Sequence, residues 1–86
     1  DDVSLVELFG WSKEQFDTAL AGSPIRRIGH EQWLRNLAVG LGNAPSSAAV
    51  TGALQARRDD ASALVREHVQ WALQQHDRRR DSPDNL

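Results

Sequence analysis

The sequence predicts an all-α fold of about five helices, and three observations lead to that prediction. Apolar residues recur at helical spacing through most of the chain. No stretch shows the strict alternation of apolar and polar residues that is typical of a strand. Serines stand where helix N-caps are expected, just before several of the apolar segments. With 86 residues, the chain is expected to form one small domain.

The first two helices are predicted from capping boxes. Ser4 with Glu7, and Ser12 with Gln15, have the spacing at which a serine hydroxyl and the residue three positions later cap a helix reciprocally. Each box is flanked by apolar residues at the positions of a hydrophobic staple. We therefore expect a short helix near residues 4–9 and a second helix near residues 13–21.

The third element is predicted to begin at Ser23, which suits an N-cap, with Pro24 at the first helical position. Gly29 disfavours a continuous helix, because a glycine in a helix interior costs about 1 kcal/mol relative to alanine. We therefore expect a short helical segment, a kink near Gly29, and a longer helix from about His30. Gly42 and Asn43, two residue types that tolerate the left-handed conformation, are predicted to close this helix. The predicted buried stripe of the helix consists of Trp33, Leu34, Leu37, Ala38 and Leu41.

Two more helices complete the prediction. One is expected over residues 47–58, and Ser62 is expected to cap another that runs to about Gln75 or beyond. The domain is therefore predicted to span residues 1–76. Residues 77–86, DRRRDSPDNL, have almost no apolar content, so we expect a polar, disordered C-terminal tail.

The charge distribution draws attention to the middle of the chain. The formal net charge is −2, so the chain as a whole does not have the composition of a nucleic-acid binder. Residues 23–43, however, hold three Arg and one Glu, a net charge of +2, whereas residues 1–22 sum to −4 and residues 44–86 to zero. Arginine suits phosphate recognition because its planar guanidinium can donate two parallel hydrogen bonds.

Four residues of this segment are candidate ligands for a partner. Arg26 and Arg27 can bind phosphate or be solvated charges, and their unfavourable place near a helix start favours the functional interpretation. Arg35 faces away from the apolar stripe, so it can contact a partner or form an ion pair with Glu31. Asn36 can bind a partner or serve as a structural hydrogen-bonding residue.

No catalytic or metal site is predicted within the chain. It has no cysteine, which excludes disulfides, zinc–thiolate sites and iron–sulfur ligation by these residues. His30 and His68 fall on apolar faces, where a hydrogen-bonded core role is expected, and His76 is expected near a frayed helix end. The sequence also contains no activated nucleophile and no glycine-rich phosphate loop. No apolar run approaches the roughly 20 residues that span a bilayer, so no membrane association is expected.

Three motifs in fixed order carry a resemblance to a known family: residues 22–29 (GSPIRRIG), 33–36 (WLRN) and 41–43 (LGN). They resemble the C-terminal region of the epoxyqueuosine reductases, bacterial enzymes of the last step of queuosine synthesis on tRNA. The resemblance extends from about Leu5 to His76 and implies a HEAT-like helical array. It also implies cobalamin and two [4Fe–4S] clusters in the parent enzyme. Neither cofactor is expected in this chain, which opens with Asp1 and is expected to be a piece of a longer protein.

The resemblance implies a function for the basic segment. The chain would be a non-catalytic, cytoplasmic, monomeric domain that contacts the tRNA anticodon stem-loop through Arg26, Arg27, Arg35 and Asn36. The rest of the enzyme, an oxidoreductase, would reduce epoxyqueuosine to queuosine. The alternative is a structural helical cap, or protein-interaction module, that docks on the cofactor-bearing part of its own chain. The two interpretations differ in whether the three arginines share one exposed face.

Overall fold

A computed structural model describes residues 2–80, and within them the regular secondary structure is helical, with no strand. The α-helices are α1 (Asp2–Phe9), α2 (Lys13–Ala19), α3 (Gly29–Asn43), α4 (Ala48–Ala56) and α5 (Ala63–Arg80). A 3₁₀ segment, η1 (Pro24–Ile28), lies between α2 and α3. The predicted all-α fold with about five helices is confirmed. The HEAT-like character of the array stays a prediction.

The core is built around the pair formed by α3 and α5, which share the most extensive helix–helix interface, and α1 and α4 pack against this pair. Trp33 and Trp71 are half-buried at its margin. The predicted stripe of α3 therefore faces the core, because its apolar residues recur once per helical turn. The largest fully buried side chains are Phe9, Phe16, Leu34, Leu41, Val50, Leu54, Val65 and Val69.

Gly42 has a different role from the predicted one. It lies inside α3, buried, and among the described residues only Gly22 and Gly29 have a positive φ. A Cβ atom at Gly42 would stand 2.5 Å from Cζ3 of Trp71 and 3.0 Å from Cα of Ala72. Glycine is needed here because the backbones of α3 and α5 approach too closely for a side chain.

Two helix boundaries in the first third of the chain also differ from the prediction. Helix α1 begins at Asp2, so Ser4 lies in its first turn and not at the N-cap. Leu5 and Leu8 of this helix pack against the core, which helps to stabilise it. The second capping box is confirmed, since Gln15 N donates to Ser12 Oγ at 3.1 Å and Ser12 N donates to Gln15 Oε1 at 2.9 Å. Helix α2 ends at Ala19, two residues before the predicted end.

The C-terminal end of α3 explains why α5 extends beyond Gln75. The last carbonyls of a helix have no partner within the helix, and here α5 supplies donors to them. His76 Nε2 donates to Leu41 O at 2.8 Å, and Arg79 donates to Gly42 O at 2.8 Å and to Ala44 O at 2.6 Å.

His76 and the start of the predicted tail therefore differ from the expectation. His76 is 3% exposed and is not a residue of a frayed helix end. Helix α5 continues through Arg80, so residues 77–80 are helical and not part of a disordered tail. The remainder of the predicted tail, residues 81–86, lies outside the described residues.

Candidate nucleic-acid interface

The segment η1 forms for the reasons that its sequence predicts. Ser23 Oγ accepts a hydrogen bond from Ile25 N at 3.2 Å, and Pro24 occupies the first position of the 3₁₀ turn. Gly29, with φ of 85°, ends η1 and begins α3. The short segment, the kink and the longer helix are therefore all present. The turn is exposed from Pro24 through Ile28, which includes both of its arginines.

An open cleft of about 470 Å³, which we call the η1 cleft, lies where α2, η1 and the start of α3 meet. Three cationic side chains line it, from Lys13, Arg26 and Arg27, together with the carboxylate of Asp17 and the ring of His30. The Arg27 guanidinium makes no hydrogen bond or ion pair with any residue between 2 and 80. The cleft therefore carries an excess of positive charge, and one of its cations is uncommitted.

Asp17 connects the other two cations. Its Oδ2 lies 2.7 Å from Lys13 Nζ, and its Oδ1 lies 3.4 Å from Arg26 Nε. The hydrogen bond from the Lys13 ammonium, with smaller contributions from the charges of Lys13 and Arg26, holds the pKa of Asp17 below its usual value against a weaker effect of desolvation. Both ion pairs are open to solvent.

An aromatic cluster behind the cleft holds α2 against α3. Trp11 stacks on Trp33 with ring centroids 6.0 Å apart, and Phe16 lies 5.3 Å from Trp33 and 5.6 Å from His30. His30 Nε2 donates to Trp11 O at 2.9 Å, since a carbonyl oxygen can only accept. His30 is thus a hydrogen-bonded structural residue, as predicted. The cluster fixes the position of α2, the helix that carries Lys13 and Asp17.

Arg35 and Asn36 lie apart from the η1 cleft. Arg35 is half-buried in a separate depression, where its Nε donates to His68 Nε2 at 3.1 Å and its NH1 donates to Asn36 Oδ1 at 3.2 Å. Arg35 forms no ion pair with Glu31, which accepts a hydrogen bond from Ser62. The structure therefore brings Arg26 and Arg27 together, but it does not place Arg35 on the same exposed face.

Sequence reasoning missed Lys13 as a residue of this site. Lys13 precedes Asp17 by four positions on α2, a spacing at which side chains of opposite charge meet. That signal predicts a surface ion pair but not the contact of Asp17 with Arg26. The second contact depends on the turn between α2 and η1, where Gly22 adopts φ of 81°.

Comparison with known proteins finds similar chains that share one name. The chain is 62% identical over 76 residues to an epoxyqueuosine reductase of Xanthomonas campestris pv. campestris, a match that covers 88% of this chain and 21% of that relative. The identity, length and coverage are the same for the relative from Pseudomonas aeruginosa. The Escherichia coli (strain K12) relative is 49% identical over 78 residues, which cover 91% of this chain and 20% of the relative.

The chain matches the C-terminal part of the epoxyqueuosine reductase family. It spans about a fifth of the length of these curated relatives. No protein-family model and no solved structure matches the chain.

The iron–sulfur clusters that the epoxyqueuosine reductase resemblance implies do not fit the residues of this chain. The sequence has no cysteine, so it offers no thiolate to an iron–sulfur cluster. Between residues 2 and 80, no group of three or more His, Asp or Glu side chains is placed to hold a metal ion. In the same range, every helix is too short or too polar to cross a membrane.

Proposed function

We propose that this chain is a non-catalytic C-terminal domain of an epoxyqueuosine reductase and that it contacts the anticodon stem-loop of tRNA. The rest of the enzyme would reduce epoxyqueuosine to queuosine in that tRNA, with its cobalamin and [4Fe–4S] clusters held outside this chain. The relatives that carry the name of this reaction support the first part. The observation that carries the RNA contact is the η1 cleft, with Lys13, Arg26 and Arg27 around one opening. A tRNA substrate also implies a cytoplasmic location, and we expect a monomer.

The chemistry of the cleft suits the RNA backbone. Contacts between arginine or lysine and phosphate oxygens fix the position of a nucleic acid and carry no sequence information. Specificity would come from the shape of the stem-loop and from the unstacked base that the enzyme modifies. Arg35 and Asn36 would form a second contact point apart from the cleft, where the Arg35 guanidinium is already oriented by His68.

Two variants of exposed arginines test the RNA contact. Arg27→Ala removes an uncommitted cation of the cleft, whereas Arg58→Ala removes an equally exposed and uncommitted cation next to the C-terminal end of α4. Fluorescence anisotropy with a labelled anticodon stem-loop should show weaker binding for Arg27→Ala and unchanged binding for Arg58→Ala. The slope of log K against log salt should fall by about 0.7–0.9 in Arg27→Ala, the value for one lost phosphate contact. Equal effects of the two variants would contradict the proposal.

A structural cap is the second candidate, and two observations favour it. Arg35 does not share the exposed face of Arg26 and Arg27, and η1 exposes apolar side chains. Ile25 is 47% exposed and Ile28 is 45% exposed, which is unusual for large apolar residues within so short a turn. They would dock on the cofactor-bearing part of the enzyme. In the full-length enzyme, Ile28→Ser would then lower the thermal midpoint and leave the affinity for the stem-loop unchanged. A lowered affinity at an unchanged midpoint would instead assign Ile28 to the RNA contact.

A further inference from the structure

We infer that a phosphodiester group of RNA binds in the η1 cleft by replacing the Asp17 carboxylate between Lys13 and Arg26. Lys13 is then a further RNA-binding residue, and Asp17 is a residue that limits the affinity. The inference rests on the RNA-binding function proposed above, and it adds the position of the phosphate and the competing group.

The bridging position of Asp17 is the first argument. One carboxylate oxygen faces Lys13 Nζ at 2.7 Å and the other faces Arg26 Nε at 3.4 Å. The two cations are thus held at a separation that a single anionic group with two oxygens can span. A phosphodiester presents two charged oxygens on one phosphorus atom, so it can take the same bridging position. Charge-assisted hydrogen bonds of this kind are the strong ones, and arginine forms them with phosphate as well as with carboxylate.

The solvent exposure of Lys13 and Asp17 is the second argument, because breaking an exposed ion pair costs little free energy. The Lys13 side chain is 75% exposed, and the Asp17 side chain is 31% exposed. Ion pairs as open as these contribute little to stability, so little is lost when they break. Asp17 needs no replacement partner, since water can solvate it once it turns away.

Arg27 is the third argument, because it favours the phosphate over the Asp17 carboxylate. It lines the same cleft, and it has no hydrogen bond or ion pair within residues 2–80, so Asp17 leaves it unsatisfied. An incoming phosphate can therefore meet three cations where the carboxylate meets two. Counterions released from the RNA backbone add to the favourable free energy at low salt.

The test compares two variants with a matched control in the full chain, by anisotropy with a labelled anticodon stem-loop RNA. Asp17→Asn should tighten binding by about two- to tenfold, the range expected when weak competing ion pairs are removed. Lys13→Ala should weaken binding and lower the salt slope by about 0.7–0.9. Asp77→Asn is the control: it makes the same charge change and also frees an arginine, Arg80, but in the last turn of α5. Its affinity should match that of the unaltered chain.

The outcomes separate this inference from the proposed function. If Arg27→Ala weakens binding but Asp17→Asn does not tighten it, the RNA contact stands and the exchange at Asp17 is overturned. Equal tightening by Asp17→Asn and Asp77→Asn also overturns it, because net charge alone would then explain both. If Arg27→Ala has no effect either, the proposed function fails as well. If Asp17→Asn binds a polyglutamate peptide more tightly but the RNA no more tightly, the ligand is an acidic protein segment, and the inference is overturned. Thermal unfolding checks that each variant is folded. If Asp17→Asn does not fold, the Lys13→Ala variant tests the inference, and unchanged RNA binding by that variant overturns it.

Discussion

The two ends of α3 bind basic side chains in opposite ways. At its C-terminal end, Arg79 donates to two backbone carbonyls and His76 donates to a third. At its N-terminal end, Arg27 has no partner among residues 2–80, and Arg26 faces only the carboxylate of Asp17. The same residue type is thus part of the fold at one end and available at the other.

The polarity of the helix accounts for this difference. The C-terminal end of a helix presents carbonyl groups without intrahelical partners, and its dipole attracts cations. The N-terminal end presents N–H groups, which a guanidinium cannot bind, and its dipole repels cations. Arginines near the start of α3 are therefore left for an anion from outside the chain. Arg57 follows the same rule at the end of α1, where it donates to Phe9 O and Trp11 O at 2.7 Å.

The largest effect is expected from Gly42→Ala, which tests the close packing at the C-terminal end of α3. The added methyl group would collide with Trp71 and with the backbone of Ala72, so the free energy of unfolding should fall by about 1–3 kcal/mol. Gly52→Ala is the control, because its Cβ would meet nothing within 4 Å in α4. It should raise the free energy of unfolding by about 0.5–1 kcal/mol. Urea denaturation measures both, and the same sign for both variants would refute the packing account.

The second effect compares neighbouring arginines of α5. Arg79→Ala removes the donors to Gly42 O and Ala44 O, so unfolding should become easier by about 1–2 kcal/mol. Arg78→Ala removes an exposed arginine with no partner in the described residues, and it should change stability by less than about 0.5 kcal/mol. Neither variant should change the affinity for the stem-loop. Equal losses of stability in the two variants would show that Arg79 does not hold the end of α3.

At the η1 cleft, Arg27→Ala should have the opposite effects to Arg79→Ala: it should leave stability unchanged and weaken RNA binding. Because Arg27 makes no contact that holds the fold together, its removal should change the free energy of unfolding by less than about 0.5 kcal/mol. The same variant should weaken RNA binding. A clear loss of stability, measured by urea denaturation, would place Arg27 with Arg79 among the structural arginines and remove the contrast between the two ends.

The smallest effect concerns the pH dependence of stability at Asp17. The pKa of Asp17 is lowered in the folded protein, mainly by the hydrogen bond from Lys13, so the folded state binds fewer protons there than the unfolded state. The contribution is fully present above the usual aspartate pKa of about 3.9 and is lost as the pH falls through the lowered folded value. Thermal melts should therefore show Asp17→Asn slightly less stable at neutral pH, with the difference vanishing in acid. A difference that persists in acid would exclude the Lys13 ion pair as its cause.

Local rules of sequence predicted the η1 region well, because its structure depends on neighbouring residues. Ser12 and Gln15 cap α2, and Ser23 with Pro24 starts η1, through contacts no more than three positions apart. Gly29 was recognisable as a break because glycine is unfavourable in a helix interior. The structure shows that it adopts a positive φ.

Contacts between distant residues could not be predicted in the same way. The spacing around Gly42 is compatible with a helix end, and only the approach of α5 shows that it is a packing site. His76 and Arg79 appeared to be solvated because their partners lie 35 to 37 positions earlier in the chain. Lys13 was missed for the same reason, since the turn at Gly22 brings η1 beside α2. Four residues were predicted to bind RNA, and that role stays a prediction for each of them.

The most direct test of the contrast between the two ends is an NMR titration of the full chain with an anticodon stem-loop of a queuosine-type tRNA. The account predicts amide shifts at Lys13, Asp17 and residues 24–30, and these shifts should fade as salt rises. It also predicts no shifts at residues 76–80, whose cations are bonded to the end of α3 or lie beside it. Shifts centred on residues 76–80, or none at low salt, would contradict the proposal that RNA binds at the N-terminal end of α3.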